Sequence, residues 1–221
     1  MAATLPAPAR SHLQHHFDNL AQQAEAASLG MWVFIVTEIL FFGGLFTAYL
    51  VYRMWYPDVF ARGSQSCEIV LGTANTAILI TSSLTMALAV YSAAEGRSKA
   101  IIGFLVLTML LGLAFLGVKF TEYYHKYEEH LIPGPGFRFE GEAPYRAQIF
   151  FSLYFLMTGL HAVHMIIGIG VLSVLIFMAR RGQFSPEWHV PVELGGLYWH
   201  FVDIIWIFLF PLLYLIDRHH G

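Results

Sequence analysis

The chain has 221 residues, of which 57% are hydrophobic and 16% aromatic, and only 12% are Asp, Glu, Lys or Arg, where soluble domains run near ~25% charged. That balance excludes an ordinary water-soluble domain and reads as an integral membrane protein. The net charge of -3 offers no basic face for nucleic acid, and the lone Cys67 excludes an intrachain disulfide, a paired-thiol redox site and a thiolate metal cluster.

Residues 1–28 form a polar tail with Pro6, Pro8 and the histidines His12, His15 and His16, and without a signal-peptide type of apolar core. We expect an uncleaved, extended arm whose histidines are solvated rather than a metal box. Its last part, Asp18 to Ser28, is expected to form a short helix along the membrane surface.

The first span, about 29–54, carries no charge between Met31 and Tyr52 except Glu38. Roughly 22 such residues cover about 33 Å, enough for a hydrocarbon core of ~30 Å. Trp55, Tyr56 and Pro57 mark the interface and the exit, and a loop is expected to run on to Ser66. The second span, about 67–94, has small residues at every fourth position, Thr73, Ala77, Thr81, Thr85, Ala89 and Ala93, a ridge that suits close helix packing.

After the turn at Glu95 to Lys99 comes a third span, about 100–126, with Lys119, Glu122 and Lys126 near one face at its end. Here Lys119 is expected to snorkel toward water and Glu122 to pair with either lysine, as an end-of-helix ion network. Residues 127–145, with Pro133, Gly134, Pro135 and Gly136, form the largest external loop. The fourth span, about 147–180, has no charged residue from Ala147 to Ala179 and holds His161 and His164. At roughly 50 Å it must tilt or protrude. The fifth, about 192–216, holds His200 and Asp203, with Pro211 expected to kink its end.

These spans predict an all-α membrane bundle of five transmembrane helices, the second domain-scale unit (29–221) after the tail. Arg97, Lys99, Arg180 and Arg181 crowd one side near helix ends, which places the amino terminus inside and the carboxy terminus outside. A carboxylate at depth is unfavourable by roughly 2.5–3.5 kcal/mol and turns toward protein. Glu38 is therefore expected to pair with a histidine of the fourth or fifth span, with His161, His164, His200 and Asp203 in one interior layer. No nucleophile–base pair and no metal cage is spaced for catalysis, so no metal ligands are assigned.

Together WVFIVTEILFFGGLF, TGLHAVHMIIG and YWHFVDIIWIFLF, supported by FLGVKFTEYYHKY, resemble subunit III of the haem-copper oxidases in its shorter five-helix form. The resemblance implies a non-catalytic subunit of a proton-translocating, aa3-type cytochrome c oxidase in the inner membrane of a bacterium. Such a subunit packs on subunit I within a complex that includes subunit II, binds phospholipid and supports proton uptake during oxygen reduction. Haem and copper are then held by the partner subunits. The family's carbodiimide-reactive acid falls on Glu38, and its motif histidines and acid on His161, His164, His200 and Asp203. Quinol oxidase subunit III and the nitric-oxide-reductase accessory subunit share the pattern, and the glutamate of TEILFFGG favours the cytochrome c type. A small proton channel or transporter with these groups as a relay is the alternative of another class, but no internal repeat is found.

Overall fold

The computed structural model describes residues 12–139 and 144–216, and among them every regular element is helical. In chain order these are α1 (Leu20–Trp55), α2 (Pro57–Gln65), α3 (Ile69–Ala94), α4 (Ser98–Glu128), α5 (Pro144–Arg180) and α6 (Val190–Tyr214). All but α2 are long and apolar enough to cross a bilayer. The protein is therefore a membrane helical bundle of five spans.

Two stretches differ from the sequence expectation. The surface helix expected over Asp18 to Ser28 is instead the start of α1. Asn19 caps it by accepting from the Gln22 amide at 2.8 Å, and the alanine-rich turns that follow run into the span without a break. The expected loop after Pro57 is the nine-residue α2. Pro57 sits in its first turn, where a missing N–H is harmless, and Asp58 suits the positive end of the helix. Burial of Phe60 and Ala61 anchors it. Such a segment is too short and too polar to announce itself by hydropathy.

α5 is 37 residues long, about 55 Å, so it outreaches a ~30 Å core by tilt or protrusion. α6 stays helical through Pro211 to Tyr214. Tight reversals follow α3 and α5, where Gly96 (φ 68°) and Gly182 (φ 66°) take the left-handed conformation that ends a helix.

Helices α3, α4, α5 and α6 form a closed ring, each packed on the next and α6 back on α3. Most buried positions of α3 (Gly72, Asn75, Leu79, Ser82, Met86, Ala89, Ala93) and of α4 (Ile101, Leu105, Thr108, Gly112, Phe115, Lys119, Glu122, Lys126) step alternately by three and four, with Thr85, Ser92 and Leu116 buried beside them. That spacing keeps one seam facing a neighbour that crosses at a shallow angle. The fourth-position ridge of small residues does not form this seam throughout. Each step of four advances 400°, so the row drifts by 40°: Thr73, Ala77 and Thr81 are exposed, whereas Thr85, Ala89 and Ala93 are buried.

α6 is the most enclosed span. Its Trp199 ring lies between α4 and α5, where Gly112 and Gly168 leave it room: a Cβ at those positions would meet the ring at 2.7 and 3.0 Å. Helix α1 stands outside the ring and lies against α5 and α6. Only Ile35, Phe42 and Tyr49, seven residues apart, are buried along it. Near its end the Tyr49 hydroxyl donates to the Leu212 carbonyl of α6.

Candidate functional site

Glu38 and His164 meet where α1 crosses α5. The Glu38 Oε2 lies 3.1 Å from His164 Nε2, and the side chains are 20% and 13% exposed. The other ring nitrogen, Nδ1, is 2.8 Å from the Leu160 carbonyl oxygen. A carbonyl only accepts, so Nδ1 carries a hydrogen. The contact at Nε2 then needs one more proton, carried either by the glutamic acid or by an imidazolium. Both arrangements leave the pair with no net charge, which is the tolerable state at membrane depth. Phe42 packs edge-on against the imidazole at 5.4 Å, and the Tyr198 hydroxyl donates to the His164 carbonyl at 3.0 Å.

The other candidate residues have different neighbours, and no hydrogen bond joins them to the dyad. His161 is 1% exposed and enters the ring interior, against Phe115 at 5.4 Å and Trp206 at 5.3 Å, with no hydrogen-bond partner at either nitrogen. Three residues along a helix are 60° apart in azimuth, enough to send His161 inward and His164 toward α1. His200 Nδ1 lies 2.7 Å from the Ser83 hydroxyl of α3. Asp203 is 4% exposed in the crevice beside them.

Lys119 and Glu122 do not form an end-of-helix surface network. They lie inside the ring, and Lys119 does not reach water. Its ammonium donates to Glu122 Oε2 at 3.0 Å, to the Tyr154 hydroxyl at 3.0 Å and to the Tyr214 hydroxyl at 2.6 Å. The same phenols donate to Glu122, Tyr154 at 2.7 Å and Tyr214 at 2.7 Å. Three helices are knotted at one point in this way. Lys126 pairs with Glu129 rather than Glu122, at 2.7 Å, and donates to the Ser66 carbonyl at 2.7 Å, tying α4 to the segment after α2. Sequence reasoning missed Tyr154, Tyr214 and Ser83. Tyr154 falls about two turns before His161, at the bundle-facing spacing of α5, which was the available signal.

Between α1 and α6 runs an apolar groove of about 420 Å³, walled by Trp32, Ile39, Phe46, Leu197, Ile204 and Phe208. It suits a hydrocarbon chain. Among the described residues no three His, Cys, Asp or Glu side chains converge as metal ligands.

Comparison with known proteins agrees with this architecture. The family described as cytochrome c oxidase subunit III matches residues 11–217. The cytochrome c oxidase subunit 3 of Thermostichus vulcanus is 33% identical over 91% of this chain and 92% of its own length. That of a Synechocystis species is 32% identical over 95% of this chain and 81% of its own. A probable quinol oxidase subunit 3 of Staphylococcus aureus is 29% identical over 93% and 96%. With the match running through all five spans, the chain belongs to the cytochrome c oxidase subunit III family of the haem-copper oxidases.

Proposed function

We propose that this protein is the non-catalytic third subunit of an aa3-type cytochrome c oxidase in a bacterial plasma membrane. It packs beside subunit I, in a complex with subunit II and open to a larger respiratory assembly, and haem and copper stay in those partners. Its own contribution is twofold: lipid held in the groove between α1 and α6 steadies the complex, and Glu38 with His164 supports proton uptake as oxygen is reduced. The single observation that carries the second part is the 3.1 Å contact of the dyad, which holds one proton between two partly exposed groups. The greater identity to chains named for cytochrome c oxidase, 33% and 32% against 29% to a quinol oxidase chain, favours cytochrome c as electron donor. Arg97, Lys99, Arg180 and Arg181 support an inward amino terminus.

Purification from native membranes in mild detergent tests the assignment: a haem-containing subunit should co-purify, and the chain alone in vesicles should pass no protons. Flux through the chain alone would favour a channel instead. Within the complex, Glu38→Gln keeps a hydrogen bond to Nε2 but holds no transferable proton. It should leave haem content intact while slowing proton uptake or shortening the turnover lifetime, and complete loss of haem would overturn the reading.

A further inference from the structure

On the side of the membrane that holds the α1–α3 and α4–α5 connections, a recess of about 610 Å³ opens between α2 and the segment after α4. Its walls include Arg62, Gln65, Glu129, Leu131, Arg138 and Phe139. Both walls are fixed from behind. On one, the Phe60 ring of α2 lies edge-on to Tyr49 at 5.2 Å and to Phe150 at 5.4 Å. Burial of Phe60 and Gly63 turns Arg62 and Gln65, three apart, outward on one face. On the other, Phe137 and Phe139 pack on Phe151 at 5.7 and 5.8 Å, and the Arg138 amide donates to the His130 carbonyl at 2.9 Å. The Lys126 ammonium joins the two, donating to the Ser66 carbonyl and to Glu129 Oε2 at 2.7 Å each.

The charge in this recess is unbalanced. Buried Lys126 neutralises Glu129, which leaves the exposed guanidiniums of Arg62 and Arg138 as the remaining charges of the walls. Among the described residues the ion pairs are made by other side chains, so neither guanidinium meets a carboxylate; Glu140 and Glu142 lie outside the described residues.

We propose that this recess binds a phosphate group between the guanidiniums of Arg62 and Arg138. Each guanidinium presents paired N–H donors in a planar fork that matches two phosphate oxygens. Two like charges on one recess repel each other, and an anion between them turns that repulsion into attraction. Gln65 adds an amide donor, while Leu131 and Phe139 give the recess an apolar side. Its position brings the ligand close. The exposed Trp55, Tyr124 and Tyr127 mark an interfacial belt at these helix ends, so the recess stands at the level of lipid headgroups. A phospholipid headgroup and free phosphate share the required chemistry. The site shares no residue with the groove between α1 and α6, and it does not depend on the oxidase reading.

The test is arginine footprinting of the protein as purified from native membranes, delipidated and placed in nanodiscs of digalactosyl diacylglycerol, a lipid without phosphate. Phenylglyoxal modification is read by peptide mass spectrometry with no addition, with inorganic phosphate, and with phosphatidylglycerol mixed into the disc. Arg97, at the opposite ends of the helices, is the control. A phosphate-bearing ligand should slow modification of Arg62 and Arg138 by roughly 10-fold or more relative to Arg97. Protection by inorganic phosphate alone identifies the free anion as the ligand, and protection only by phosphatidylglycerol identifies the headgroup. Both results uphold the site. No protection in either arm, which is also the outcome if the chain's own carboxylates fill the recess, would overturn it, as would equal protection of Arg97. As a second measurement, Arg62→Gln combined with Arg138→Gln should reduce retention of the protecting ligand by a comparable factor, counted by native mass spectrometry, while Arg97→Gln keeps the wild-type amount. Undiminished retention by the double variant would sink the assignment.

Discussion

The knot at Lys119 makes a quantitative prediction. Replacing Glu122 with Leu leaves the Lys119 ammonium, 2% exposed, without its carboxylate. Removing one partner of a buried pair typically costs about 3–5 kcal/mol because the other charge stays buried. The remaining environment softens the loss: two phenol oxygens at 3.0 and 2.6 Å still accept from the ammonium. The rings of Tyr123, Tyr154, Trp206 and Tyr214 surround it at 5.3, 4.7, 5.3 and 5.3 Å, with cation–π attraction of about 2 kcal/mol when desolvated. We therefore expect Glu122→Leu near the lower bound, about 3 kcal/mol, which is a loss of roughly 150-fold in the folded ratio. Lys119→Met strands the carboxylate, still bonded by two phenol O–H groups, and should cost about 3–5 kcal/mol. The double variant removes both charges and leaves only two phenols short of an acceptor, each worth about 1–3 kcal/mol at most. Its cost should fall well below the sum of the singles. Denaturation of the detergent-solubilised protein by sodium dodecyl sulfate, followed by tryptophan fluorescence, measures all three. Additivity within about 0.5 kcal/mol would refute the knot as a coupled unit.

Other substitutions probe other contacts. Tyr49→Phe removes the donor to the Leu212 carbonyl and should cost about 1–3 kcal/mol, read in the same titration, with α1 becoming more accessible to limited proteolysis. Gly112→Ala places a Cβ 2.7 Å from the Trp199 ring and should cost about 1–3 kcal/mol by overpacking; a thermal midpoint equal to wild type would show that the ring shifts freely. His164→Leu leaves Glu38 without its imidazole and should weaken the seating of α1 by about 1–3 kcal/mol. A cysteine pair engineered across the α1–α5 seam should then crosslink less readily.

What could be read from sequence was whatever is local or set by the solvent. Long apolar runs determined five spans, because a bilayer demands that each backbone satisfy itself within one helix. A lone carboxylate in the first span determined that a partner must exist, and the narrow choice of histidines nearly named it. The faces were harder. A histidine pair three apart looks like one patch on a helical projection, yet 60° of azimuth is enough to send His161 into the ring and His164 to α1. Lys119 looked like a snorkelling end-of-helix lysine because nothing in its own helix announces the two tyrosines that arrive from α5 and α6.

Composition and hydropathy thus settled the medium, the element type and the number of crossings, since these depend on residues near one another along the chain. Only the packed ring decided which small residues form a seam, that α1 lies outside it, and which buried charge meets which partner. Those outcomes depend on how each helix is rotated about its own axis, and rotation is set by the neighbours a helix packs against rather than by its own sequence period.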